Sequence, residues 1–243
     1  MGAAADTSGR DVVAFVAGAT GYTGREVVRE LTRRGARTLA HVRPDASRRD
    51  DWRDRFAALG AEVDTTPWEE PLLAATLARL RPTHVFALLG TTRARAAAER
   101  RPAAEGYERV DYGLSAMLLR AAIAAGSRPR FVYLSAAGVR AGRSNPYLAV
   151  RWRLEEELRA SGLPYVIARP SFITGADRDE PRPGERAAAA AVDALAGVVR
   201  LVGARRIADR YRSTTNVALA RALVRLALDP NSTAAVVESE GLR

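Results

Sequence analysis

The sequence predicts an α/β protein built on a doubly wound parallel sheet. Three observations carry that reading. Short apolar runs recur, each closed by glycine, proline or polar residues; segments of helical period separate them; and a turn with regularly spaced glycines follows the first run. The 243 residues, 47% apolar and 27% charged, suit one globular domain and not a disordered chain.

Residues 12–17 form a continuous apolar run ending at Gly18. Its shortness favours a strand buried on both faces. Residues 22–34 carry Val27, Val28 and Leu31 at helical spacing, and Gly35 stops them. A second strand over 38–42 precedes Pro44. A helix over 48–59, a short strand at 61–64 and a helix around 69–79 lead into a strand over 83–89. The alanine-rich stretch 104–125 reads as a helix, 131–135 as a buried strand, 147–160 as a helix and 165–168 as a strand. Alternating strands and helices with right-handed crossovers give a Rossmann-type fold. After Pro170 the regularity fades: a Pro-rich, charged loop at 177–185, helices near 186–199 and 217–228, and a last strand near 235–238. Residues 1–10 read as a disordered tail and 11–243 as one domain, with 170–243 supplying a small substrate-covering region.

Composition excludes several functions. The chain has no cysteine, hence no disulfide framework, thiolate metal site or thiol nucleophile. It has no lysine or glutamine, so all 38 basic residues are arginine, and the net charge is +10. Arginine and alanine codons are GC-rich, and a genome-wide bias accounts for both excesses. The arginines are scattered without aromatic interleaving, which reads as a solvated surface and not a nucleic-acid face. No apolar run approaches the roughly 18–20 residues of a membrane helix. The first ten residues hold no apolar secretory core, and Asp6 stands where myristoylation needs Ser or Thr. A cytoplasmic address is expected, with no membrane partner.

Gly18-Ala19-Thr20-Gly21-Tyr22-Thr23-Gly24 joins the first strand to the first helix. Gly18 permits a tight turn, Gly21 a close backbone approach to a pyrophosphate, and Gly24 close helix–strand packing. The helix N-terminus adds N–H donors and a positive dipole end. Thr20, Tyr22 and Thr23 fill the turn between the glycines. An acidic residue that would bind a ribose 2′-hydroxyl is missing at the end of the second strand, which reads His41-Val42-Arg43-Pro44. Arg43, helped by Arg48, could instead grip a 2′-phosphate, favouring NADP(H) over NAD(H).

These residues resemble the atypical and extended short-chain dehydrogenases/reductases. The likeness extends through Leu88-Leu89-Gly90-Thr91-Thr92, Val110-Asp111-Tyr112, the run from Phe131 to Ser135, and Ala168-Arg169-Pro170-Ser171. The segments 105–112 and 182–185 look most like the Tat-interacting-protein-like (NmrA-like) branch. The resemblance implies that Leu89, Gly90, Thr91 and Thr92 line the cofactor and that Pro170, Phe172 and Ile173 lie by the nicotinamide. It also implies a Ser-Tyr-Lys site. Ser135 matches the serine that orients a substrate oxygen, and Tyr147 the tyrosine that gives or takes the proton. Arg151 occupies the lysine position, one helical turn on. Asp111 stands where many extended members have Asn, and Ala136 where a second serine is common.

A free tyrosine titrates near 10. A unit positive charge at ~4 Å and effective dielectric ~20 contributes ~4 kcal/mol, or about three pH units. Arginine keeps that charge but cannot relay a proton. Two readings therefore stand: an NADP(H)-dependent oxidoreductase acting on a carbonyl or hydroxyl small molecule, or a non-catalytic dinucleotide-binding redox sensor or regulatory protein. A homodimer is expected, its contact including the charged, solvent-facing side of the helix at Glu155–Arg159. His41 and His84 read as structural, no metal site is expected, and Trp52, Trp68 and Trp152 read as packing residues.

Overall fold

A computed structural model describes residues 11–91, 102–171, 173–174 and 214–242. The sheet comprises β1 (Val13–Ala17), β2 (Arg37–His41), β3 (Glu62–Asp64), β4 (His84–Ala87), β5 (Arg130–Leu134), β6 (Tyr165–Arg169) and β9 (Ala234–Glu238). Their order is β3-β2-β1-β4-β5-β6-β9, and every pairing is parallel. Two short strands, β7 (Ile173–Thr174) and β8 (Thr214–Thr215), pair beside it. The chain winds outward from β1 to β3, crosses to β4 and continues to the other edge, as the alternating pattern predicts.

Each apolar run serves two cores because successive strand side chains point to opposite faces. Ala14 and Val16 pack with Val27, Val28 and Leu31 of α1 (Gly24–Arg33), Trp52 and Phe56 of α2 (Arg49–Ala58), and Leu219 and Leu223 of α7 (Asn216–Leu228). Phe15 and Ala17 face Leu73 and Leu77 of α3 (Glu70–Leu80), Leu118 and Leu119 of α5 (Ser115–Ala124), and Leu154 and Leu158 of α6 (Pro146–Ala160). A strand with helices on both sides must be apolar throughout, which is why these strands show no alternation. Residues 216–242 supply a covering helix and the last strand, so they belong to the core. The expected tail at 1–10, loop at 177–185 and helix at 186–199 lie outside the described residues.

One helix departs from its expected form. Residues 104–125 read as an uninterrupted α-helix, yet a single turn, α4 (Ala103–Gly106), passes into a π-helical stretch, Tyr107–Leu114, before α5 begins. Tertiary contacts override the local preference. The Tyr107 ring meets Tyr147 edge-on, Asp111 pairs with Arg151, Glu108 pairs with Arg153, and the Tyr112 hydroxyl donates to Glu157. Wider π winding presents all four side chains to α6, and such stretches concentrate at functional sites.

The charged surface is laced with ion pairs, including Arg37 with Glu62 and Arg120 with Glu70, each at 2.7 Å. Arg33 and Arg34 hold Glu30 at a pKa of about 2. Both histidines are structural, as expected. The His41 ring packs on Phe15 and Trp68, and its Nε2 bonds the Thr66 carbonyl. His84 bonds the Thr83 hydroxyl through Nδ1 and the Ala227 carbonyl of α7 through Nε2.

Burial lowers the pKa of His84 to about 4, partly opposed by the Ala227 bond. The unfolded chain takes up this proton near pH 6.5 while the folded chain resists. Stability from this group is complete above about 6.5 and falls as pH drops toward 4, by up to ~3 kcal/mol. Thermal melts across that window should show the loss, and His84→Gln should flatten the slope.

Candidate active site

The turn after β1 fixes the first part of the site through its backbone. Gly18 has φ +82°, and a Cβ there would lie 2.6 Å from the Leu88 carbonyl oxygen. The turn is thereby pressed against the end of β4. A Cβ on Gly24 would lie 2.1 Å from the Gly18 oxygen, so only glycine lets α1 start this close to β1. Gly21 closes the turn by donating its N–H to Gly18 at 2.9 Å, and a Cβ there would lie 3.1 Å from the same carbonyl oxygen. Asn216 of α7 braces the turn by donating to the Tyr22 carbonyl at 3.4 Å. Thr23 is buried, while Thr20 and Tyr22 are half-buried. This turn sits where the strand order reverses, between β1 and β4. Ligands of such sheets bind at that crevice, at the carboxyl ends of the strands.

The second part gathers at the ends of β4 and β5. Arg151 and Asp111 are both buried, and a guanidinium N–H donates to Asp111 Oδ1 at 2.6 Å. Its other terminal nitrogen donates to the Leu134 carbonyl at 2.5 Å and to the Tyr133 hydroxyl at 3.4 Å. The Thr91 backbone N–H donates to Asp111 Oδ2 at 2.9 Å. Gly90 leaves room for this pair: a Cβ would sit 3.3 Å from Arg151 and 3.4 Å from Asp111. Tyr147, in the first turn of α6, holds its ring centroid 4.6 Å from the Arg151 guanidinium carbon. Asn145 caps that helix, accepting from the N–H groups of Tyr147 and Leu148.

Electrostatics follow from burial. Desolvation raises the Tyr147 pKa above its ordinary value, Arg151 opposes the rise, and Asp111 and Tyr107 add to it. Tyr133, fully buried, is also raised by desolvation. Desolvation disfavours the Arg151 cation, but the two tyrosines and Asp111 outweigh it, and its pKa is raised. Asp111 is raised by its own burial against the pull of Arg151 and the Thr91 N–H.

Ser135, just after β5, belongs to a second network. Its hydroxyl donates to Glu155 Oε1 at 2.6 Å. Glu155 has no exposed surface and also receives Arg169 at 3.0 and 2.5 Å and Arg159 at 2.9 Å. Arg169 reaches on to Glu238 of β9 at 3.0 Å. Of the charge expected to face solvent at Glu155–Arg159, Glu155 departs and is buried, while Glu156 is exposed. Glu155 points into the protein because Arg169 and Ser135 meet it there; among Glu155-Glu156-Glu157 nothing in the sequence singles out the first.

Arg43 lies beyond β2, exposed, with Asp45 at 3.8 Å. Arg48 sits over Trp52 at 5.7 Å, with Arg25 and Arg55 on the same indole. Leu89 is half-buried, Pro170 buried, and Ile173 packs on the core. Thr92 and Phe172 lie outside the described residues. Sequence reasoning missed the roles of Glu155, Tyr107 and Tyr133; Asp111 was visible only as a departure from the usual Asn. Among the described residues no three His, Cys, Asp or Glu side chains cluster to hold a metal.

These parts fit a dinucleotide. The turn brings three glycines to the start of α1, whose N-terminus is the positive end of its dipole, and the buried Arg151 Nε has no partner among the described residues. A family model described as NAD(P)H-binding matches residues 18–230. The chain belongs to this NAD(P)H-binding family. It is 34% identical over 185 residues to "Protein fmp52-1, mitochondrial" of Aspergillus terreus, covering 70% of each chain. It is 32% identical over 169 residues to a ceramide reductase of Caulobacter vibrioides, covering 70% of this chain and 48% of that one. Against several further Fmp52 proteins the match spans about half of their length. UDP-glucose 4-epimerase from Brucella ovis, solved with NAD, has the same fold at TM-score 0.63 and 17% identity, covering 93% of this chain and 76% of that one. The UDP-Glc/GlcNAc 4-epimerase of Campylobacter jejuni gives TM-score 0.68 at 14% identity, covering 93% and 77%.

The expectation of a cytoplasmic address is corrected by these matches, since the Fmp52 relatives are named mitochondrial. A missing secretory core says nothing of organelles. No helix among the described residues is long and apolar enough to cross a membrane.

Gly21→Ala should weaken dinucleotide binding at least tenfold while shifting the melting temperature little. Gly24→Ala should lower the melting temperature itself, because its Cβ would lie 2.1 Å from a backbone oxygen, against 3.1 Å for Gly21. Calorimetric titration and thermal melts of both variants check this contrast.

Proposed function

We propose that this chain is an NADP(H)-dependent oxidoreductase that interconverts a carbonyl and a hydroxyl on a small molecule. The observation that carries the reading is the placement of Tyr147 against the buried Arg151, on the carboxyl rim of a sheet whose glycine turn suits a pyrophosphate. The relative named a ceramide reductase supports reductive chemistry. Arg43 supports the 2′-phosphate, with a planar guanidinium exposed at the end of β2; Asp45 beside it would have to yield to the phosphate.

Reduced nicotinamide, when bound, supplies a hydride. Tyr147, its ring held against the Arg151 guanidinium, donates its phenolic proton to the substrate oxygen. Ser135 has committed its proton to Glu155, so it offers lone pairs and accepts a hydrogen bond from substrate. Gly18, Gly21 and Gly24 hold the pyrophosphate with Thr20, Tyr22 and Thr23 around it. Leu89, Gly90 and Thr91 line the track toward Pro170 and Ile173.

Purified protein should oxidise NADPH, followed at 340 nm, in the presence of some member of an aldehyde and ketone panel. Tyr147→Phe should cut turnover at least a hundredfold and leave cofactor affinity within about threefold. Binding without turnover of any carbonyl would favour the redox-sensor reading. Arg43→Ala should weaken NADPH at least tenfold, about 1.4 kcal/mol, and leave NADH unchanged.

A further inference from the structure

The lysine position of this site holds an arginine whose charge is answered at contact distance. Asp111 has no exposed side-chain surface, Arg151 has 6%, and their atoms meet at 2.6 Å. The contact has no slack. Asp111 Oδ2 is taken by the Thr91 N–H, Arg151 is tied to the Leu134 carbonyl, and Gly90 lies against both side chains. The π-helical stretch delivers Asp111 from one side while α6 delivers Arg151 from the other. The groups facing Tyr147 can be named. Arg151 lies on its own helix, and Tyr107 and Asp111 come from the π-helical stretch. Tyr133 of β5 lies behind Arg151. Among the described residues that face Tyr147 stand one cation and one anion, in contact with each other. A lone cation at this distance would draw the phenol down by about three pH units. A contact pair presents only a dipole, and burial of Tyr147 then disfavours its phenolate.

We propose that Asp111 is a positioning residue that binds Arg151 as a buried counter-charge and keeps Tyr147 protonated through the physiological range, fitting the site to donate a proton in reduction. This rests on Tyr147 being the proton-transferring group and adds a direction to the reaction. In that direction the C–H bond forms on the carbonyl carbon with the hydride of the reduced nicotinamide dinucleotide, which becomes oxidised. The Tyr147 O–H bond breaks as the new alcohol O–H forms, and the phenolate regains a proton from water. The reverse reaction needs a phenolate at the outset, which this pair withholds.

Ultraviolet difference titration at 295 nm follows tyrosine ionisation without cofactor or substrate, so its outcome is independent of turnover. Subtracting Tyr147→Phe isolates the Tyr147 transition. The wild type should titrate above about 9.5. Asp111→Asn keeps the size and one acceptor for the Thr91 N–H, and should lower the midpoint by at least one pH unit. The neutral pair Asp111→Asn with Arg151→Met, which leaves no buried lone charge to unfold the site, should titrate within half a unit of wild type. A wild-type midpoint near 7 would overturn the proposal. So would an Asp111→Asn midpoint that stays or rises, or a neutral pair displaced by more than a unit. A titration that behaves as stated in a protein that turns over no carbonyl would sustain the counter-charge and retire the reductase reading.

Discussion

A buried guanidinium requires a counter-charge and acceptors, and Arg151 takes them from two separate parts of the chain. Asp111 comes from the π-helical stretch, Leu134 from β5, and Tyr133 stands behind. Asp111 in turn holds the loop after β4 through Thr91. The loop expected to line the cofactor, the strand that leads into Ser135 and the helix that carries Tyr147 are therefore fixed relative to one another by one ion pair. Removing either partner would leave an uncompensated charge in the interior, which typically costs about 3–5 kcal/mol. Such a pair is weak evidence of stability and better evidence of a geometry that is being held.

A parallel arrangement does the rest of the placement. All seven strands run the same way, so their carboxyl ends share one rim. The glycine turn opens at the point of order reversal, and the Arg151–Asp111 pair sits one strand along from it. The Glu155 network binds the next stretch of the rim, joining β5, α6, β6 and β9 through Ser135, Arg169 and Glu238. Two buried carboxylates thus organise two neighbouring parts of the site. One balances a charge beside the tyrosine, and the other fixes which way the serine hydroxyl faces.

Much of this was legible in the sequence, for reasons that differ by residue. The central strands were visible because strands covered on both faces are largely apolar, as in 12–17 and 131–134. Gly18, Gly21 and Gly24 were readable because they answer to backbone geometry, which spacing encodes directly. Tyr147 and Arg151 were readable as a pair one turn apart. Glu155 was not, since its burial depends on Arg169, fourteen residues away and on another element. The π-helical stretch was hidden because the residues around Asp111 satisfy helical periodicity equally well in either winding. The cellular address was misread from a missing signal, and a missing signal carries little physical content.

The central claim is that the turn from Gly18 to Gly24 and the rim beside it form a built dinucleotide site. Titration of the folded protein with NADPH, followed through nicotinamide fluorescence, tests this most directly. The account predicts saturable one-to-one binding, with fluorescence enhanced as the ring leaves water for the rim near Tyr147. A protein with a cooperative thermal transition that binds neither NADPH nor NADH at millimolar concentration would contradict it.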